Sequence, residues 1–143
     1  MIKFISTEDT LTVRSLVLRE GLDSKLCRFE GDDDEFSFHL GYFKDGILVC
    51  VASFHQQGRE SFNGKGYQLR GMATLPAYQG TGIGNQLVNF SIVYLRGQKA
   101  NYLWCNARKV AFRFYTGLGF EFISEEFDIP GIGKHKAMYL KIQ

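Results

Sequence analysis

The apolar positions change period several times along the chain, and each change marks an element. Residues 2–5, IKFI, read as a short opening strand. STED follows, with Ser6 or Thr7 as the cap and acids in the first turn. Leu11, Ser15 and Leu18, with Val13 and Leu16, then carry a helix to about Gly21. Residues 22–35 lose the pattern and hold the acidic run GDDDE, expected to be a solvated loop or short helix that lacks the spaced ligands of a calcium loop. FSFHLGYF and ILVCVASF flank KDG, and an Asp-Gly between two β-rich apolar runs is a strong hairpin signal. GRESFNGKG is turn-rich and YQLRGMATL reads as a further strand.

From Gly82 to about Arg96 the spacing of Ile83, Leu87, Val88, Ile92 and Leu95 is helical. NYLWCN at 101–106 predicts a buried strand. Residues 109–118 predict a helix with Val110, Phe114 and Leu118 on one stripe, Tyr115 at its edge and Gly119 as the C-terminal cap. FEFI and KAMYLKI are expected as closing strands. With no repeat, low-complexity segment or linker, the chain reads as one domain over residues 1–143. Its fold class is α/β (α+β mixed), a central mixed twisted sheet of about six to seven strands flanked by helices.

Composition narrows the function. The 143 residues are 45% hydrophobic, 22% charged and 15% aromatic, enough for one well-packed domain. A formal charge of +2 with no Lys/Arg run argues against nucleic-acid binding, and no stretch is long and apolar enough for a membrane span or signal peptide. Cys27, Cys50 and Cys105 are odd in number and contain no CxxC, so neither a metal site nor a disulfide framework is expected, and the compartment is read as cytoplasmic.

The chemistry centres on PAYQGTGIGNQLVN. A dinucleotide loop would need a third glycine where Asn85 stands, and a kinase-type phosphate loop would need Lys-Ser/Thr where Asn85 and Gln86 follow Gly84. What remains is Q-x-x-G-x-G between a strand and a helix. Bare glycines let backbone N–H groups from 80 to 85 approach an anion, and the helix N-terminus adds donors and about half a positive charge. With no lysine in the loop and no metal ligand near it, this suits a diphosphate that is held rather than cleaved. A glycine-rich turn with nothing bound is the alternative.

GMATLPAYQGTGIGNQLV followed by LWCNARKVAFRFYTGLGF resembles the GNAT superfamily of acetyl-CoA-dependent N-acetyltransferases over roughly residues 66–122. The matching residues are Gln79, Gly82 and Gly84, then Asn106, then Phe114, Tyr115, Gly119 and Phe120. The resemblance implies that acetyl-CoA is the cosubstrate and a small-molecule or peptide amine the acceptor, with no metal. It implies that Gln79, Gly80, Thr81, Gly82, Ile83, Gly84 and Asn85 hold the coenzyme diphosphate. It also implies that the main chain of Met72, Ala73 and Thr74 pairs with the pantetheine arm, with the Met72 N–H facing the thioester oxygen.

By the same resemblance Tyr115 points at the coenzyme sulfur and protonates the leaving thiolate; its spacing alone would equally fit a core aromatic. Asn106 and Phe112 are lesser contacts along the coenzyme. Many relatives carry a Glu on the strand before the loop as general base, and YQLRGMATL has none. His135 and His39 are the imidazoles available for a catalytic or substrate role, and Arg70 could meet an anionic substrate group or make only a surface salt bridge. Cys105, with no His beside it in sequence, is expected to be a buried thiol rather than a nucleophile. The missing Glu keeps a second expectation open, a non-catalytic acyl-CoA-binding sensor. Homodimers being common in the family, a homodimer is a further expectation.

Overall fold

The computed structural model describes residues 1–143. In chain order the elements are β1 (Ile2–Ile5), α1 (Thr7–Leu18), β2 (Phe38–Lys44), β3 (Ile47–Gln56), β4 (Gly66–Thr74), α2 (Ile83–Gly97), β5 (Tyr102–Arg108), α3 (Phe112–Gly117), β6 (Glu121–Phe122), β7 (Phe127–Ile129) and β8 (Gly133–Lys141). Short 3-10 turns lie at Ser24–Cys27, Pro76–Tyr78 and Lys109–Ala111. β4 and β5 pair in parallel through α2, while β1 with β2, β2 with β3, and β5, β6 and β7 with β8 are antiparallel, so the sheet is mixed as expected. No helix is long and apolar enough to cross a membrane. The chain forms two compact units, residues 1–56 with 69–91, and residues 57–68 with 92–143.

In the first unit the strands follow the order β1-β2-β3-β4. Ser6 caps α1: its hydroxyl accepts from the Asp9 N–H at 3.2 Å, and its own N–H donates back to the Asp9 carboxylate at 3.1 Å. Such a reciprocal cap contributes about 1 kcal/mol. Asp45 and Gly46 both take positive φ (51° and 79°), the backbone a two-residue hairpin needs to follow strand twist. β3 is buried from Val49 to His55, a strand covered on both faces. Val13, Val51 and Ala73 form a small apolar cluster with Ile5, Val17, Leu18, Leu48 and Leu75 around it.

Beside that cluster the unit buries charge. Arg14, on the inward face of α1, is fully buried and grips Asp32 through two hydrogen bonds of 2.7 and 3.1 Å. Its other two Nη protons reach the Ser53 hydroxyl (2.7 Å) and the Cys27 carbonyl (3.0 Å). The expectation that the GDDDE run is solvated therefore fails at Asp32, which is only 3% exposed, because a buried guanidinium requires a carboxylate within reach; Asp33 and Asp34 do stay exposed.

In the second unit the first three residues of β4 pair with β5, and β5 pairs with β8, from Tyr102 opposite Lys141 to Arg108 opposite His135. β8 then carries β7 along one part of its length and β6 along another. β7 lies where no strand was expected, and with it the strand number is eight rather than six to seven. The helix expected at 109–118 begins as a 3-10 turn, with about three residues per turn rather than 3.6. That phase shift turns Val110 outward, 91% exposed, and leaves Tyr115 as the buried residue of α3, with Phe114 and Leu118 half-buried. The expected stripe of Val110, Phe114 and Leu118 is corrected accordingly. Gly119, at φ 100°, follows the helix end as the cap pattern requires.

Removing one member of the buried pair strands the other. Asp32→Ala is expected to destabilise the protein by about 3–5 kcal/mol, whereas the double change Arg14→Met with Asp32→Leu should recover most of that loss. Urea unfolding with a double-mutant cycle checks this; additive costs would show that the two residues are not coupled.

Candidate active site

The glycine loop lies in the first unit. β4 ends where the Leu75 N–H donates to the Val49 carbonyl at 2.8 Å, and the Pro76–Tyr78 turn leads into residues 79–85. Gln79 folds its amide back onto the Thr74 carbonyl (2.9 Å), and the Thr81 hydroxyl donates to the Tyr78 carbonyl (2.6 Å). These bonds hold the loop without using its glycines. Gly80 (φ 74°) and Gly82 (φ 85°) are left-handed around Thr81, and no heavy atom lies within 4 Å of where a side chain would begin at either. The Gln86 N–H returns to the Gly82 carbonyl at 3.1 Å, so the N–H groups before it sit in the first turn, where no intrahelical acceptor exists. Buried Ile83 pins that end of α2, with Gly84 and Asn85 following it. A backbone bared in this way, at the positive end of a helix, suits an anion such as a phosphate.

Met72, Ala73 and Thr74 complete β4, with Ala73 buried and its two neighbours half-buried. The Thr74 hydroxyl lies 3.2 Å from the Cys50 sulfur. Burial pushes the Cys50 thiol up to about 11, against the pull of that hydrogen bond.

Gly71, just before Met72, is left-handed (φ 62°). A side chain there would stand 2.9 Å from the Phe29 ring and 3.0 Å from Arg14 Nε, so both backbone and space demand glycine. The guanidinium carbon of Arg14 lies 3.9 Å from the Phe29 ring centre, and that of half-buried Arg70 lies 4.5 Å from it.

His39 is 4% exposed, with both ring nitrogens partnered. Nε2 meets the Asp32 carbonyl and the Thr7 hydroxyl, each at 3.0 Å, and Nδ1 meets the Ser53 hydroxyl at 2.7 Å. A carbonyl only accepts, so Nε2 carries the proton, and Nδ1 must accept from Ser53, whose oxygen accepts from Arg14. A second proton on His39 would break this chain and place a cation beside Arg14. Burial lowers its pKa below the ordinary 6.5, against the Asp32 carbonyl and charge, with Arg14 and His55 repelling. His55, at a strand end and ranked in the sequence below His135 and His39 for a site role, reaches the Asp32 carboxylate at 2.9 Å. Burial alone would raise the Asp32 carboxyl, but hydrogen bonds from His55, Arg14 and the Phe29 N–H hold it well below the usual carboxylate range. The readable signal was Arg14 itself, a charge on the helix stripe between Leu11 and Leu18.

The remaining expected site residues lie in the second unit. Tyr115 is buried at 6% exposure between the rings of Phe114 and Phe120. Burial pushes the neighbouring Cys105 thiol up to about 12, and a hydrogen bond with Tyr115 offsets this only in part. Cys105 is thus a buried neutral thiol, as expected. Asn106 is half-buried on β5 opposite Ala137. Phe112 packs edge-on against Phe122, with the Lys136 ammonium over both rings. His135, on β8, is 3% exposed and lies against Phe127. Its Nδ1 donates to the Gly133 carbonyl at 2.8 Å, which leaves Nε2 as the acceptor nitrogen.

Comparison with known proteins follows the same pattern. The acetyltransferase (GNAT) family matches residues 6–120. An uncharacterized N-acetyltransferase of Bacillus subtilis (strain 168), YitI, is 40% identical over 139 residues, covering 96% of this chain and 93% of its own. The fold is shared with an aminoglycoside 6'-N-acetyltransferase solved with coenzyme A (TM-score 0.79, 13% identity, 100% of this chain and 97% of that one). It is shared also with the ribosomal-protein-S18-alanine N-acetyltransferase of Escherichia coli (TM-score 0.74, 21% identity, 100% and 94%).

The His39 network has a pH signature. Unfolded His39 takes a proton near pH 6.5, while the folded residue resists until lower pH, so its stabilising contribution is complete above about 6.5 and is lost as pH falls. The stability gap between wild type and His39→Gln should therefore narrow between about pH 7.5 and pH 5. Urea midpoints across that range check it; a gap that widens on acidification would contradict the neutral assignment.

Proposed function

The chain belongs to the acetyltransferase (GNAT) family, and from that premise we propose that it transfers an acetyl group from acetyl-CoA to a primary amine by direct attack in a ternary complex. The observation that carries this proposal is the pair of left-handed glycines, Gly80 and Gly82, opening onto free space at the start of α2. In this proposal residues 1–143 act as one acyltransferase domain, and the N–H groups from 80 to 85 hold the coenzyme diphosphate while Gln79 braces the loop from behind. The main chain of Met72, Ala73 and Thr74 receives the pantetheine arm, and the Met72 N–H donates to the thioester oxygen as it gains charge. Loss of one such donor costs about 10²–10³ in rate in other enzymes.

The amine nitrogen bonds to the carbonyl carbon, the C–S bond breaks, and an amide and coenzyme A thiol result. One proton leaves the amine and one reaches the departing sulfur. We assign the second to the Tyr115 hydroxyl and the first to Nε2 of His135, the acceptor nitrogen of a ring oriented by Gly133. Asn106 and Phe112 are assigned to coenzyme contacts. A covalent acyl-cysteine route is disfavoured, since burial keeps Cys50 and Cys105 neutral. All three thiols are free and buried, which suits a reducing, cytoplasmic setting.

Acetyl-CoA at about 100 times its Kd is expected to add ~2.7 kcal/mol of stability and raise Tm by several degrees, with ATP and NAD without effect. Thiol release with an amine should fall about 10²-fold in Tyr115→Phe. A Tm shift with ATP but not with acetyl-CoA would overturn the proposal, and binding without thiol release from any amine would favour a sensor instead.

A further inference from the structure

Arg70 is half-buried on β4, yet it has neither an ion-pair partner nor a hydrogen-bond acceptor among the protein's own groups. Its one defined contact is the face of Phe29. A guanidinium lying over a ring is held in place while its N–H edges stay free to donate, and those edges match a carboxylate. The carboxylate whose field it feels is Asp32, and that group is filled. One Asp32 oxygen takes Arg14 (2.7 Å) and the Phe29 N–H (2.8 Å); the other takes Arg14 (3.1 Å) and His55 (2.9 Å).

The surroundings hold surplus positive charge. Burial lowers the pKa of Arg70; Asp32 opposes this, and Arg14 and Arg19 add repulsion. Beside the space that Gly71 leaves open, Arg14 Nε is buried with no acceptor at all. Two guanidiniums therefore meet one ring, share the influence of one saturated carboxylate, and leave donors unanswered. That arrangement lacks an anion.

We propose that Arg70, stacked on Phe29 beside Gly71, is the anion subsite of the acceptor and that the amine acetylated here carries a carboxylate. This rests on the acyl-transfer proposal, in which Met72 donates to the thioester oxygen. Arg70 precedes Met72 by two positions, no more than about 7 Å along a strand. In this proposal the acceptor sets its carboxylate on the guanidinium and its amine toward the thioester. The carboxylate supplies the missing charge, and the guanidinium selects for it by two parallel hydrogen bonds.

The test uses α-amino acids, β-alanine and γ-aminobutyrate, each against its own carboxamide. Thiol release gives kcat/KM for each pair, and calorimetry gives binding with and without coenzyme A. Wild type should favour at least one acid over its carboxamide by tenfold or more. Arg70→Gln should bring that ratio near one, mainly through KM, and Arg70→Lys should keep part of it. If Arg70 only clamps Phe29, both members of a pair will weaken together and the ratio will survive, which overturns the proposal. Carboxamides equal to acids throughout the panel, in turnover and in binding, would overturn it as well. Acetyl-CoA binding on the same samples reports separately on acyl transfer: its failure with acid binding intact and dependent on Arg70 would strike that reading and leave the subsite standing.

Discussion

Burying the guanidinium of Arg14 constrains most of the first unit. A fully buried cation inside a protein needs a carboxylate and filled donors, and each neighbour answers part of that need. Asp32 supplies the charge, so the acidic loop must fold inward at one residue while Asp33 and Asp34 remain outside. Ser53 and the Cys27 carbonyl take the remaining Nη protons, tying α1 to β3 and to the turn before the loop. The Asp32 main chain and side chain then orient His39 and His55. A polar network in which every Nη proton is met, with only Nε left over, specifies one arrangement of helix, loop and strand more sharply than apolar packing alone would.

The same demand reaches the strand that leads to the glycine loop. Phe29 and Arg14 occupy the space where residue 71 would carry a side chain, so β4 bends through a left-handed glycine just before Met72. Met72, Ala73 and Thr74, the residues assigned to the pantetheine arm, thus begin at a point set by the buried pair, and Gln79 ties the glycine loop back to Thr74. Remote packing and proposed chemistry are joined through one stretch of backbone.

Features that depend on local backbone chemistry were legible in the sequence. Asp45 and Gly46 announced a hairpin because few residues accept positive φ at both positions. Gly80 and Gly82 announced the bare loop for the same reason, and Ser6 with the acids behind it announced the start of α1. Features that depend on distant partners were not. Asp32 read as one solvated acid among several, since its partner lies on another element. Tyr115 read as an edge residue because a 3.6-residue period was carried through a turn that is 3-10. β7, three residues long, has too few positions to show a period. The absent Glu on β4 was plain, but Nε2 of His135 as an available acceptor needed the Gly133 carbonyl to be placed against Nδ1.

Amide hydrogen exchange of residues 79–86, with and without acetyl-CoA and with ATP as the control, tests the assignment of the loop most directly. Exchange of the loop amides is expected to slow when acetyl-CoA is added and to be unchanged by ATP. Slowing elsewhere with these amides untouched, or slowing on addition of ATP instead, would contradict it.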